Sequence, residues 1–169
     1  MFTVGMVQEN CFVLRRERSD RALIVDSWSG LGPMALNLFC GKRPNYDKPD
    51  YGIAQKALFN FWQMLALQLR CHVIIIGHTE RGMTEMGVGL KLTINTIGRA
   101  LAPDLPRDAD DFIYADRTDG TKFKWSTASA SAVTKARNLP LSDNLAPDFA
   151  PAIASWERAG GVITPTEIK

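Results

Sequence analysis

Ala22-Leu-Ile-Val-Asp26 and His72-Val-Ile-Ile-Ile-Gly77 are two short apolar runs, each leading into polar residues. Runs of this kind read as strands buried on both faces, as in a parallel sheet. Between them lies the clearest helix of the chain. Ala54, Ala57, Leu58, Phe61, Trp62, Leu65 and Leu69 recur at the three-and-four spacing of one buried face. Asp50 is its expected N-cap, and the pattern ends near Arg70. Strand, helix, strand is a βαβ unit, which calls for parallel pairing and a right-handed crossover. The expected fold class is α/β.

Outward from this unit the pattern weakens. Residues 1–14 mix apolar and polar side chains and suit a short strand or a helix. Arg15, Arg16, Arg18 and Arg21, with Glu17 and Asp20 among them, read as a solvated helix end or loop. Ser27-Trp-Ser-Gly-Leu-Gly-Pro33 reads as a turn, 34–40 as a helical turn or two, and Gly41 to Pro49 as a surface loop. Residues 79–98 hold Gly82, Gly87, Gly89 and Gly98 among apolar side chains. A mobile functional loop and an ordered hairpin fit that stretch equally well. From Asp111 the signals are of strands: Phe112-Ile-Tyr-Ala115, a turn at Asp119-Gly120, Lys122-Phe-Lys-Trp125 with its aromatics on one face, and Ala132 to Arg137. A short helix at 149–158 and a loosely ordered last ten residues complete the expectation.

The 169 residues suit one domain, with a core over 1–140 and a tail over 141–169. Hydrophobic residues at 46% and charged ones at 22% give a globular balance. A formal charge of +2 means that a nucleic-acid partner has to be argued from a local patch. Cys11, Cys40 and Cys71 are odd in number and form no C-x-x-C pair; with two histidines in the chain, no structural zinc site is readable. The start lacks the pattern of a signal peptide, and no apolar run approaches the ~18 residues of a membrane span. A soluble, cytoplasmic protein with reduced thiols and no membrane partner is expected.

In a parallel α/β sheet, ligands bind beyond the carboxyl ends of the strands. Asp26, followed by Ser27, stands at one such end, and His78-Thr79-Glu80 at the other. A strand-end Asp suits magnesium in a nucleotide-phosphate site, and a polar neighbouring strand end suits a sensor of the γ-phosphate. Taken alone, Asp26 reads as a structural cap at least as readily. Ser27, Ser29, His78 and Asp26 also invite a Ser-His-Asp triad, but Ser27-Trp-Ser-Gly30 does not supply the G-x-S-x-G nucleophile elbow.

Arg21-Ala-Leu-Ile-Val-Asp-Ser27 resembles a Walker B strand, and His72-Val-Ile-Ile-Ile-Gly-His-Thr-Glu80 resembles the strand that follows it in RecA-like ATPases. The glycine-rich stretch after His78 lies where RecA-like recombinases carry a mobile DNA-contacting loop. Val133-Thr-Lys-Ala-Arg-Asn-Leu139 is similar to the basic strand-end motif that reaches the γ-phosphate held by a neighbouring subunit. Over about residues 20–140, the ordered set resembles most closely the RecA-like ATP-binding proteins of bacteriophages and prophages.

The resemblance implies a parallel RecA-like sheet flanked by helices, with a C-terminal β-hairpin extension. It implies ATP and Mg2+ as cofactors, with Asp26 and Ser27 binding the cofactor, Asp26 at the metal, and Asp26, His78 and Glu80 at the catalytic centre. Lys135 and Arg137 would act in trans in a self-associated ring or filament, and Arg81, Lys91 and Arg99 would contact single-stranded DNA. The expected role is DNA recombination or replication in a bacterial host. The alternative is a nucleotide-independent DNA-binding or protein-interaction module.

One departure is severe. The P-loop G-x-x-x-x-G-K-[ST] is absent: before Gly41-Lys42 the required glycine position holds Leu36, and Arg43 stands where Ser or Thr belongs. The chain thus looks like the carboxyl-terminal part of a RecA-like core. It is expected to be a fragment of a longer gene product, half of a split ATPase whose partner bears the P-loop, or a degenerate member. ATP hydrolysis then depends on a P-loop supplied from elsewhere. An unpaired sheet edge is expected too, covered by residues 1–14 or by a second chain.

Overall fold

A computed structural model describes residues 22–69, 71–83, 90–98, 100–119 and 122–161. β1 (Ala22–Asp26) and β2 (His72–Ile76) pair in parallel, from Ala22 opposite His72 to Asp26 opposite Ile76. The connection between them holds two helices rather than one. α1 (Trp28–Cys40) takes up the expected turn and extends past it, with Pro33 inside the helix. Pro33 cannot donate to the carbonyl of Ser29, a local cost that sequence reading takes as a stop. Burial of Trp28, Gly32, Ala35 and Leu36 along one face outweighs it.

α2 (Lys48–Gln63) begins earlier than expected and continues into a π-helical stretch, Met64–Gln68. Its N-cap is Asp47, not Asp50. Asp50 sits three residues in, where its carboxylate accepts the Asp47 N–H at 2.9 Å and pairs with Arg43 Nη2 at 2.9 Å. Two acidic residues three apart made the cap ambiguous; the reciprocal capping-box geometry selects the first.

Trp28 is the centre of the core. Fully buried, its ring lies parallel to Phe61 at 6.3 Å and edge-on to Trp62 at 5.3 Å. Ala54, Leu58 and Leu65 of the α2 arm complete the helix-to-helix packing. Leu23, Val25, Val73 and Ile75 press the inner face of the β1–β2 pair onto this cluster. The outer face is covered in part: the Trp156 ring meets His72 edge-on at 5.0 Å, whereas Ile24 is 59% and Ile76 46% exposed. Burial on both faces, expected from the apolar runs, is therefore incomplete on the outer one, where cover by described residues leaves Ile24 and Ile76 exposed.

β3 (Thr79–Met83) and β4 (Leu90–Ile94) form an antiparallel pair, Thr79 opposite Ile94 and Met83 opposite Leu90. An ordered hairpin thus replaces the mobile-loop alternative on both flanks, with 84–89 outside the described residues. After a short α3 (Leu105–Asp108), β5 (Tyr114–Asp119) and β6 (Lys122–Ser126) form a second antiparallel pair. The expected turn at Asp119-Gly120 lies partly outside the described residues.

Phe112 belongs to a bridge rather than to β5. The expected strand from Ala132 to Arg137 is likewise two isolated bridges, Ala132 parallel to Leu92 and Lys135 antiparallel to Phe112. α4 (Ala150–Arg158) closely matches its expected position. The expectations for residues 1–21 and for the end of the tail, 162–169, lie outside the described residues. The architecture is mixed α and β, but each sheet among the described residues has two strands. The structure does not show the expected RecA-like parallel sheet: parallel strand pairing among the described residues is confined to β1–β2. Among the described residues, no helix is long and apolar enough to cross a membrane.

Candidate functional site at the strand ends

Parallel, in-register pairing brings the carboxyl ends of β1 and β2 to the same edge, with Asp26 beside Ile76. Asp26 leads through a cis peptide into Ser27 and the first turn of α1; β2 leads through Gly77 to His78. Ser29, in that first turn, ties the edge together. Its Oγ accepts the His78 N–H at 3.0 Å and donates to the Asn95 carbonyl at 3.0 Å. Asn95 N–H in turn donates to the His78 carbonyl at 2.7 Å. One hydroxyl thereby joins α1, the end of β2 and the end of β4. In the sequence Ser29 stood out only as a member of a rejected triad.

Gly77 is required by contact. A Cβ there would lie 2.5 Å from Cδ1 of the buried Ile94. The side chains of Asp26 and His78 are both exposed and meet no hydrogen-bond or ionic partner among the described residues. Both are therefore presented to solvent from a braced backbone.

The other expected residues distribute differently. Glu80 lies half-buried on β3 opposite Thr93. Arg81 pairs with Leu92, whereas Lys91 pairs with Gly82. Since successive strand residues point to opposite faces, Arg81 and Lys91 project to opposite sides of the hairpin. The three-cation DNA patch is not assembled by this pair, and Arg99 lies outside the described residues.

Lys135 is held within the chain. Its Nζ donates to the carbonyls of Pro106 at 3.1 Å, Arg107 at 2.9 Å and Ala109 at 2.6 Å, at the carboxyl end of α3 where partial negative charge gathers. Reaching a neighbouring phosphate requires it to leave all three. An open cleft of about 530 Å³ lined by Asp104, Arg107, Thr134 and Lys135 borders this cage.

Arg137 differs: its guanidinium is 72% exposed and pairs with an exposed Asp110 at 2.8 Å. Its backbone is fixed by Asp111. That carboxylate accepts the N–H groups of Arg137, Asn138 and Leu139 at 2.8, 3.0 and 3.1 Å, and the Asn138 side-chain amide at 3.0 Å. Burial works to raise the Asp111 carboxyl, but these donors outweigh it and hold it below the ordinary carboxylate range. Asp111 was read from sequence only as the point where strands begin. An acidic side chain about two dozen residues from its acceptor-seeking turn leaves no local signature.

Among the described residues, no group of three or more His, Cys, Asp and Glu side chains could hold a metal ion. Mg2+ does not need one, since it commonly takes one or two carboxylates together with substrate phosphates and water. The exposed Asp26 carboxylate is a ligand of the kind that such a site uses. Compared with protein-family models, with curated proteins and with solved structures, the chain matches none.

Proposed function

We propose that this chain is the Walker B-bearing part of a RecA-like ATPase core acting on DNA in phage recombination or replication, its phosphate loop coming from another segment or a partner. The observation that carries the reading is the in-register β1–β2 pair, which brings Asp26 and His78 to one edge of a parallel sheet. In this reading Asp26 holds Mg2+, Ser27 beside it meets the nucleotide, and His78 faces the terminal phosphate. Arg137, exposed on a fixed backbone, faces a neighbouring subunit. Among the described residues the outer edges of β1 and β2 pair with no further strand, which leaves room for the strands that a complete core contributes. A bacterial cytoplasmic setting goes with this role.

The alternative, a nucleotide-independent binding module, is favoured by one observation: Lys135 is engaged by three carbonyls of its own chain. Titration of the chain with a fluorescent ATP analogue and Mg2+, beside Asp26→Ala, separates the two. Saturable binding that Asp26→Ala abolishes supports the ATPase reading. No binding up to about millimolar analogue leaves the binding module in its place for the isolated chain.

A further inference from the structure

Helix α4 is held differently from α1 and α2. None of its nine residues is buried, and a helix this short is marginal in water unless packing holds it. Its two ends are secured by unlike means. Before the helix the chain is fixed to β6 by backbone: Trp125 and Leu145 exchange both N–H···O bonds at 2.8 Å, and the Thr127 N–H donates to the Ser142 carbonyl at 2.7 Å. The Phe149 ring lies 4.6 Å from that of Trp125. At the far end a single side chain, Trp156, makes the ring contact with His72 on the outer face of β2.

The helix closes in a glycine turn. Gly160 takes φ +95°, its N–H donates to the Glu157 carbonyl at 2.9 Å, and the Gly161 N–H donates to the Trp156 carbonyl at 3.0 Å. The turn sets Gly161 against the Trp156 ring, where a Cβ would collide with it. Nε2 of His72 is shut away from water with no hydrogen-bond partner among the described residues. Such a group costs free energy while it stays covered, and lifting the ring returns it to water. The docked end thus rests on one aromatic contact, offset by one unmet polar atom.

We propose that α4 is a hinged strap on the β1–β2 pair. Residues 150–161 lift as a unit about the anchor at Trp125, Leu145 and Phe149, with Trp156 as the latch, while the two-helix core stays folded. His72 faces Ala22 at the start of a register that ends at Asp26 and Ile76. With the strap closed, the outer face is open at Ile24 and Ile76; with it lifted, the open surface reaches back to His72. The strap goes beyond the proposed function and requires no nucleotide.

The chain has two histidines, so the test carries its own standard: His78 is exposed and His72 is latched. The full chain is treated with diethyl pyrocarbonate, and labelling of each histidine is read by peptide mass spectrometry. Amide hydrogen exchange is followed in parallel, in urea well below global unfolding. His72 should label more slowly than His78, through an opening that also exposes the α4 amides while those of α2, Trp125 and Leu145 stay protected. Trp156→Ala should raise the His72-to-His78 labelling ratio roughly ten-fold. Gly161→Ala, which dislodges the ring without removing it, should raise the ratio too. Ile153→Ala, at an exposed position of the helix, should leave it unchanged. Exchange of α4 only together with α2 overturns the proposal, since the helix then opens by global unfolding alone. Exchange of Trp125 and Leu145 along with α4 overturns the hinge. An unchanged labelling ratio in Trp156→Ala overturns the latch.

Discussion

Replacing Asp111 by Ala removes one carboxylate and strands four donors: the backbone N–H groups of Arg137, Asn138 and Leu139 and the Asn138 amide. Hydrogen bonds to a charged acceptor contribute about 1.5–3 kcal/mol each when water cannot substitute. Here water reaches most of them, since Arg137 is exposed and Asn138 half-buried; only Leu139 is buried. One bond without replacement and three largely rehydrated ones give a loss of about 2–3 kcal/mol. Urea unfolding at neutral pH measures it, and Asp111→Asn, which keeps an acceptor but not the charge, should lose about half as much.

The pH dependence follows from the direction of the titration. The folded carboxyl lies below its ordinary value, so the unfolded chain binds the proton first. The stabilisation is complete above the unfolded value of about 3.9 and is lost as pH falls through the folded one. The gap between wild type and Asp111→Ala should therefore be constant near neutrality and shrink in acid. A loss below about 0.5 kcal/mol, or a gap that widens in acid, refutes the argument that this carboxylate fixes the turn.

Two perturbations at the strand-end edge follow. Gly77→Ala forces a methyl to within 2.5 Å of Ile94 Cδ1, and an overpacking loss of about 1–3 kcal/mol is expected in the same unfolding assay. Ser29→Ala leaves the His78 N–H and the Asn95 carbonyl without their shared partner; water reaches the exposed His78 N–H, so a loss of about 1 kcal/mol is expected. It should also speed amide exchange at His78, and unchanged exchange there would remove Ser29 from its bracing role.

The parallel pair and the amphipathic helix were legible because each is written locally, in an apolar run or a three-and-four repeat. Helix α1 was not, because Gly30, Gly32 and Pro33 carry loop signals that burial of Trp28, Gly32, Ala35 and Leu36 overrides. Gly32 itself reflects distant packing, with a Cβ placed 3.1 Å from that of Ile97. The candidate site divides the same way. Asp26 and His78 announced themselves as polar ends of apolar runs, whereas Ser29 and Asp111 act through partners 49–66 and 26–28 residues away. Arg81 and Lys91 looked like a patch in one dimension, until the register of β3 and β4 sent them to opposite faces.

The turn held by Asp111 also bears on the entropy of any contact Arg137 makes. Ordering a loop on binding costs about 1–2 kcal/mol for each residue fixed. At 137–139 the three N–H groups are already committed to one carboxylate, so that cost has been met in folding. An anion arriving at Arg137 has only the side chain left to immobilise, about 2 kcal/mol of rotamer freedom, and the exposed Asp110 as a competitor for the guanidinium.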